Sequence, residues 1–239
     1  MKKIVVILPT FNESQNIEKL FFLIKKEKLK LSLLFIDHGS SDGTSMIIKN
    51  IKNKFSKNVF LIQKKTREGI GKAHKDGLLW SYKNNYDLAI TMDTDLAHHP
   101  KYIKSLIYKS NNSDLVVGSR YLKKNSMTNW SLFRVFLSNS AHFMSFILFN
   151  ISHDTTNSFR CYNLKKIDKF FISLCKSNSY DFFYTSLILL NLKKYRITDI
   201  SMQIKGREEG SSKMLIKHMV KSVFNMFLLF FKIKFNLIK

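Results

Sequence analysis

Short apolar runs alternate with longer segments of helical periodicity through the first half of the chain. Five apolar runs predict buried strands, at residues 4–8, 33–37, 59–63, 88–92 and 115–119. Between them, apolar spacing or helix-start signals predict helices at residues 14–26, 44–54, 71–83 and 100–110. This alternation predicts an α/β fold with a mainly parallel central sheet flanked by helices.

The second half of the chain predicts helices around one further strand, at residues 196–204. No internal repeat and no Pro- or Gly-rich linker divides the sequence. We therefore expect one catalytic domain over residues 1–213, followed by an amphipathic helix over residues 214–239. In open α/β sheets, ligands bind in the crevice beyond the carboxyl ends of the strands. The polar clusters that follow the strands therefore predict a single cleft.

Two polar loops follow the first two strands. Residues 9–13 are Pro-Thr-Phe-Asn-Glu, and residues 37–44 are Asp-His-Gly-Ser-Ser-Asp-Gly-Thr. Gly39 and Gly43 relax the backbone limits at these turns, and the Ser, Asp and Thr side chains can cap helix N–H groups. Ordinary capping would explain either loop alone. Their position at one edge of the predicted sheet favours a binding site.

An acidic loop follows the fourth strand, where residues 93–100 are Asp-Thr-Asp-Leu-Ala-His-His-Pro. Asp93 and Asp95 can share a Mg²⁺ or Mn²⁺ ion that also bridges a diphosphate, because hard cations take oxygen ligands and leave positions open for phosphate. A lone Asp-x-Asp is usually a solvated turn, but this one lies beside two other polar loops. His98 and His99 lack the Cys or spaced His residues that would complete a zinc site.

In order and spacing, these loops resemble the dolichyl-phosphate (polyprenyl-phosphate) mannosyltransferase branch of the family 2 glycosyltransferases. Later matches extend the likeness to about residues 4–213. They are Gly-Ser-Arg-Tyr at 118–121, Trp130, Arg134, Ser138, Asp154, Ser-Phe-Arg at 158–160, Arg207, Gly210, Ser212 and Lys213. Each motif is moderately specific, whereas the ordered set is strong. The resemblance implies a GT-A fold, which is the Rossmann-like fold of nucleotide-diphospho-sugar transferases.

The resemblance also implies roles for individual residues. Asp93 and Asp95 would hold the metal, and Asp95, Arg120 and Arg134 would be the catalytic residues. The acceptor phosphate would be bound by Arg120, Arg134 and Ser138. The donor nucleotide would be bound by Pro9, Phe11, Glu13, Asp37, His38, Asp93, Thr94, Arg207 and Lys213. The simpler alternatives are a strand-end ion pair for Arg120 and a surface position for Arg134.

Three positions depart from the family pattern. His38 stands where the family usually has a second aspartate, Phe11 replaces the usual tyrosine, and Ala97 occupies a position that supplies a polar metal contact in some relatives. The first two put recognition of the donor base in doubt. A carboxylate accepts hydrogen bonds from a base N–H, whereas a neutral imidazole donates or accepts according to its tautomer.

The chain is strongly basic, with 40 Lys and Arg against 17 Asp and Glu and a formal net charge of +23. Such a charge attracts phosphates, nucleic acid or anionic lipid. No zinc-finger, RNA-recognition or helix-turn-helix pattern accompanies it, so we expect no nucleic-acid partner. Cys161 and Cys175 match no metal or redox spacing, which favours a reducing compartment.

No stretch offers the ~20 uninterrupted apolar residues of a membrane span. Residues 130–151 and the apolar positions from Ile216 to Phe231 instead predict helices that can lie on a membrane surface. For the second helix, docking on the domain's own core is the alternative. We therefore expect a peripheral protein on the cytoplasmic face of a membrane. Some relatives rely on a small membrane partner protein, and the resemblance leaves room for one here.

The sequence is thus interpreted as an enzyme that transfers a hexose from a nucleotide-sugar donor to a polyprenyl or dolichyl phosphate. By resemblance the donor is GDP-mannose, the reaction depends on a metal, and the anomeric configuration is inverted. One alternative is a transferase of the same fold that uses another nucleotide sugar, such as UDP-glucose, or a saccharide acceptor. The other is a non-catalytic basic protein that binds nucleic acid or a membrane.

Overall fold

The computed structural model describes residues 2–55, 57–206 and 216–235. Strands and helices alternate through the first half. The strands are β1 (Ile4–Thr10), β2 (Ser32–His38), β3 (Val59–Lys64), β4 (Leu88–Thr91), β5 (Leu115–Ser119), β6 (Met127–Thr128), β7 (Arg160–Asn163), β8 (Ile197–Ser201) and β9 (Ile204–Lys205). The helices are α1 (Ser14–Lys26), α2 (Thr44–Lys54), α3 (Ile70–Lys83), α4 (Ile103–Lys109), α5 (Leu132–Phe149), α6 (Phe170–Leu174), α7 (Asp181–Leu192) and α8 (Ile216–Lys234).

A seven-stranded sheet forms the centre of the molecule, in the order β3-β2-β1-β4-β7-β5-β8. β7 runs antiparallel to both of its neighbours, β4 and β5, and the other strands run parallel to one another. β6 and β9 pair in a separate two-stranded parallel sheet. The carboxyl ends of β1, β2 and β4 therefore meet at one edge, where ligand sites of open α/β sheets lie.

The two faces of the sheet carry separate hydrophobic cores. Successive side chains of a strand point to opposite faces. Accordingly, Val5 and Ile7 of β1 pack with α3, α6, α7 and α8, while Val6 and Leu8 pack with α1, α2 and α4. Helices thus cover both faces of the sheet, as expected for a mainly parallel sheet whose strands are buried on both sides.

The predicted fold class is confirmed, with strand bounds that differ from the prediction by a few residues. β7 is missing from the prediction because its sequence, Arg-Cys-Tyr-Asn, has no apolar run. Arg160 is nonetheless wholly buried, since its guanidinium donates to the carbonyls of Thr155, Asn157 and Phe183. A charged side chain is tolerated inside a core when acceptors such as these carbonyl oxygens take up its hydrogen bonds.

α5 and α8 both present large apolar side chains to solvent. On α5, Leu132, Phe136 and Phe143 are 88%, 65% and 62% exposed. α8 buries Met226 and Leu229 in the core beside α7 but leaves Phe224 and Phe231 exposed. The side chains of residues 216–220 lie outside those described. The division into a domain over 1–213 and a helix over 214–239 stays a prediction.

α5 is long and apolar enough to cross a membrane by length and composition, with a hydropathy of 1.3 over 18 residues and only 6% of them buried. The prediction concerned a different criterion, an uninterrupted apolar run of ~20 residues, and polar residues such as Asn139 and His142 do interrupt the apolar run of α5. Length does not distinguish a crossing helix from one that lies along the surface.

Candidate active site

A cavity of about 310 Å³ opens at the carboxyl ends of β1, β2 and β4 and extends toward α5, α7 and α8. It brings together most of the residues predicted for donor, metal and acceptor. These are Pro9, Phe11, Glu13, His38, Asp93, Thr94, Asp95, Arg120, Arg134 and Ser138. Arg207 and Lys213 were also predicted to bind the donor, but they lie outside the described residues.

The acidic loop is held by bonds on both sides. The Thr94 hydroxyl donates to the Pro9 carbonyl at 3.1 Å, which ties the loop to the end of β1. The Asp93 backbone N–H donates to Nδ1 of His98 at 3.1 Å, and the Ala97 N–H donates to Asp95 at 3.1 Å. The loop conformation is therefore fixed before any ligand binds.

The acid pair fits a divalent cation that is shared with a diphosphate. Both carboxylates line the cavity, and oxygen ligands suit Mg²⁺ or Mn²⁺. Across residues 2–55, 57–206 and 216–235, no group of three or more His, Cys, Asp or Glu side chains is arranged to hold a metal. Two carboxylates alone leave most coordination positions for phosphate oxygens and water, which is the usual arrangement for Mg²⁺ with a phosphorylated substrate.

Asp37 does not lie where a residue that binds the donor nucleotide is expected to lie. It is wholly buried, and the hydroxyls of Ser40 and Ser45 donate to its two carboxylate oxygens. In the part of the chain that the structure describes, His38 and not Asp37 lines the cavity. The geometry therefore favours a role for Asp37 in shaping the loop after β2.

The two polar loops are joined to each other. Asp42 accepts hydrogen bonds from the backbone N–H groups of Ser14 and Thr44, at 3.0 and 3.1 Å. Burial alone would raise the pKa of Asp42, but a hydrogen bond donated by the Thr44 hydroxyl, together with the two N–H bonds, outweighs it and lowers the pKa to about 2. Gly39 has φ +77°, and a Cβ there would lie 2.8 Å from the Lys65 carbonyl oxygen. Glycine is therefore required at this turn.

The bonds of Asp42 predict a pH-dependent stability. Because the pKa of Asp42 is lower in the folded chain than in an unfolded one, its stabilisation is full above about pH 4 and is lost as pH falls toward 2. Asp42→Ala should lower the free energy of unfolding by about 1 kcal/mol at pH 7, and the difference from wild type should shrink below pH 4 in urea titrations. A difference that grows on acidification would contradict this assignment.

Arg67 is a cavity residue that the sequence interpretation missed. Its guanidinium lies 4.4 Å from the centre of the Phe11 ring, and both side chains line the cavity. Arg67 belongs to no motif. The one available signal was its position just after β3, at the same edge of the sheet.

Arg120 lies in the cavity as predicted but is engaged in a buried ion pair. Its Nε and Nη2 atoms donate to the two carboxylate oxygens of Asp154 at 2.8 and 2.7 Å. Burial opposes the charge of Arg120, but Asp154 more than offsets this and keeps the pKa of Arg120 above its ordinary value. Arg120 therefore both forms the strand-end ion pair considered as the simpler alternative and lines the cavity. Asp154 fixes the direction in which its guanidinium points.

Arg134 and Ser138 lie one turn apart on α5. The guanidinium of Arg134 lies 3.8 Å from the centre of the Trp130 ring, and the guanidinium of Arg120 lies 5.7 Å from the same ring. The Tyr121 hydroxyl is 2.9 Å from the Ser138 hydroxyl. Trp130 therefore brings two cations to one side of the cavity, where an anion would be attracted to both.

One loop contacts both the acidic residues and the arginines. It spans residues 154–158, between α5 and β7. At its start Asp154 holds Arg120, and at its end the Ser158 hydroxyl donates to Asp93 at 2.9 Å. The sequence interpretation noted these residues as matches but gave them no role. Their function is visible only once β7 places the loop between β4 and β5.

Residues 5–171 match the family model described as Glycosyl transferase family 2. The chain belongs to glycosyl transferase family 2. The chain is similar to the polyprenol monophosphomannose synthase of Mycolicibacterium smegmatis, which is 26% identical over 215 residues, or 89% of this chain and 81% of that protein. The undecaprenyl-phosphate mannosyltransferase of Micrococcus luteus is 25% identical over 213 residues, or 89% of this chain and 87% of that protein.

Solved structures confirm the GT-A fold. Glucosyl-3-phosphoglycerate synthase of Mycobacterium tuberculosis, solved with Mn²⁺ and UDP, superposes with a TM-score of 0.65 at 16% identity, over 96% of this chain and 80% of that one. A mannosyltransferase of Pyrobaculum calidifontis, solved with GDP-mannose and Mn²⁺, gives a TM-score of 0.58 at 14% identity, over 93% and 64%. The resemblance identified from the sequence motifs is thus confirmed, and the protein is a glycosyltransferase.

Proposed function

We propose that this glycosyltransferase moves a hexose from a nucleotide sugar to a polyprenyl phosphate, with GDP-mannose as the first donor to test. The observation that carries the proposal is the single cavity that joins Asp93 and Asp95 to Arg120 and Arg134. An anionic donor and an anionic acceptor approach each other only where cations accompany both. The names of these two relatives support mannose as the sugar and a polyprenyl phosphate as the acceptor.

The residues divide into two groups by charge. Asp93 and Asp95 would hold Mg²⁺ or Mn²⁺, which supplies electrostatic stabilisation of the departing diphosphate when bound. Arg134 and Arg120 would attract the acceptor phosphate from the other side, because a guanidinium can meet two phosphate oxygens at once. Arg120 would present the part of its guanidinium that faces away from Asp154.

The acceptor itself explains why a general base is dispensable. A phosphate monoester is mostly ionised at neutral pH, since its second pKa is about 6. One acceptor oxygen attacks the anomeric carbon, the bond from that carbon to the diphosphate oxygen breaks, and the nucleoside diphosphate leaves with the electron pair. Attack opposite to the leaving group inverts the configuration. The protein contributes alignment, which is a large part of such a barrier.

The far end of the cavity suits a lipid. Its walls include Leu137, Ala141 and Met144 of α5 and Val223 and Met226 of α8. These side chains offer no strong hydrogen-bonding groups for a sugar, whereas they would bury the first units of an isoprenoid chain favourably. The apolar walls begin beside Arg134 and Ser138, so a lipid phosphate could lie with its head at the arginines.

The decisive experiment supplies purified protein with radiolabelled GDP-mannose, UDP-glucose and UDP-N-acetylglucosamine. Each donor is paired with undecaprenyl phosphate or with a soluble saccharide, with Mn²⁺, Mg²⁺ or EDTA. We expect labelled lipid that extracts into organic solvent only when metal is present. Labelled saccharide without labelled lipid would favour the saccharide-acceptor alternative, and no transfer from any donor would contradict the proposal.

Arg134→Ala should raise the KM for polyprenyl phosphate by about 10- to 100-fold, because a charge-assisted contact to phosphate contributes about 1.5–3 kcal/mol. The KM for the donor should change little. Arg134→Lys should recover part of the affinity, since a point charge still attracts phosphate. Lys104→Ala removes an exposed cation from α4 that is not among the residues lining the cavity, and it controls for net charge. An effect confined to the KM for the donor would show that Arg134 contacts the donor and not the acceptor phosphate.

We also propose that the exposed apolar faces of α5 and α8 rest on the membrane surface. Phe136→Ser with Phe143→Ser should weaken binding to anionic phospholipid vesicles by at least about tenfold in flotation assays, because each buried Phe contributes about 1.5–3 kcal/mol. Phe22→Ser is the matched control, since Phe22 is 57% exposed but lies on α1. Equal losses in the two variants would argue against a specific membrane face.

A further inference from the structure

The two acids of the cavity are oriented by different parts of the chain. Asp95 accepts from the Ala97 N–H, two residues away, so its carboxylate is held within its own loop. Asp93 instead accepts a hydrogen bond at 2.9 Å from the hydroxyl of Ser158, which lies 65 positions further along the chain. The direction of one acid therefore depends on a segment outside the acidic loop.

The antiparallel pairing of β4 and β7 brings Ser158 to Asp93. Thr91, the last residue of β4, pairs with Arg160, the first residue of β7. Asp93 lies two residues after Thr91, and Ser158 lies two residues before Arg160, so the same register continued past the strands sets Asp93 opposite Ser158. Directly opposed residues of antiparallel strands place their side chains side by side on one face. The contact is therefore a consequence of how β7 enters the sheet.

Ser158 is itself firmly placed. It is 5% exposed and lines the cavity, and its backbone carbonyl accepts from the Thr91 hydroxyl. A serine hydroxyl has a single proton to donate, and Ser158 gives it to Oδ1 of Asp93. The backbone of Asp93 is fixed as well, because its N–H donates to Nδ1 of His98. With both its backbone and one oxygen held, the Asp93 carboxylate has a set rotation.

We infer that Ser158 is a positioning residue for the metal, which turns the Asp93 carboxylate so that Asp93 and Asp95 can bind one divalent cation together. The inference rests on the proposed metal site. Residues that hydrogen-bond to metal ligands fix the orientation of those ligands, and losing one lowers metal affinity about 10- to 100-fold. Without Ser158, the carboxylate would rotate and would have to give up that freedom when the cation binds.

The test measures the dissociation constant for Mn²⁺ from the free-ion signal in electron paramagnetic resonance, first without nucleotide and then with GDP or UDP. Ser158→Ala should raise this constant by at least about tenfold. Ser158→Thr keeps the hydroxyl and should restore most of the affinity. In transfer assays, the Mn²⁺ concentration that gives half of the maximal rate should rise by the same factor in Ser158→Ala, whereas the KM for polyprenyl phosphate should change little.

Ser145→Ala is the matched control. Ser145 is wholly buried, and its hydroxyl bonds at 2.8 Å to the hydroxyl of Thr155, in the same loop as Ser158. Ser145 is not among the described residues that line the cavity, so its loss should loosen the loop without changing the Mn²⁺ constant. A folded Ser158→Ala variant with the wild-type constant, or an equal loss of affinity in Ser145→Ala, would overturn the role of Ser158. A wild type that binds no Mn²⁺, with or without nucleotide, would overturn the proposed metal site as well.

Discussion

Asp95→Asn is expected to lower metal-dependent sugar transfer about a thousandfold, a loss of about 4 kcal/mol of transition-state stabilisation. The amide has the same shape as the carboxylate, and its oxygen can still accept from the Ala97 N–H. The fold should therefore persist, whereas the neutral amide binds a divalent cation much less well. Transfer rates measured across a Mn²⁺ titration, together with thermal unfolding of the same samples, would show the two effects separately.

Asp87→Asn is the matched control for Asp95→Asn. Asp87 lies at the amino end of β4, opposite to the acidic loop, where it accepts a hydrogen bond from the Lys3 backbone N–H at 2.6 Å. It should affect stability slightly and leave the metal dependence unchanged. Turnover by Asp95→Asn at the wild-type rate would rule out the acid pair as the metal site.

Asp154→Asn should destabilise the fold by about 3–5 kcal/mol, because it leaves the charge of Arg120 buried without its partner. Burial alone would raise the pKa of Asp154, but Arg120 outweighs burial and holds it below the ordinary value. The stabilisation is therefore present above about pH 4 and is lost as pH falls through the folded-state pKa. Urea unfolding at several pH values should show the wild type and the variant converging in acid.

A double substitution separates the structural role of Arg120 from its proposed role with the acceptor. Arg120→Met with Asp154→Leu replaces the ion pair by apolar groups, which often costs little or even stabilises. We expect unfolding near the wild-type value but a strongly raised KM for polyprenyl phosphate. If transfer returned together with stability, Arg120 would be needed only for the fold.

The sequence predicted the parts of the fold that depend on local periodicity. β1, β2 and β5 are continuous apolar runs buried on both faces, and α1 and α2 begin and end where apolar spacing and start signals place them. The loops of the cavity were also predictable, because parallel strands bring their carboxyl ends to one edge. Order along the chain was therefore sufficient to bring Pro9, Asp93 and Asp95 together.

Other features depend on tertiary contacts that leave no local pattern. β7 is polar in sequence and is buried only because carbonyls from elsewhere surround Arg160. Asp37 and His38 are adjacent polar residues at a strand end, and only the alternation of the strand decides which one faces the cavity. The ion pair between Arg120 and Asp154 joins residues 34 positions apart. Sequence spacing alone gives no indication of such a pair.

The loop over residues 154–158 is tied at one end to Arg120 and at the other to Asp93. In the proposed reaction, the span of these few residues would therefore set the distance between donor and acceptor. Lengthening that span by a single glycine would keep every ligand but displace the two charges from each other. This segment therefore controls the distance between the acidic residues and the arginines, and not which residues bind the substrates.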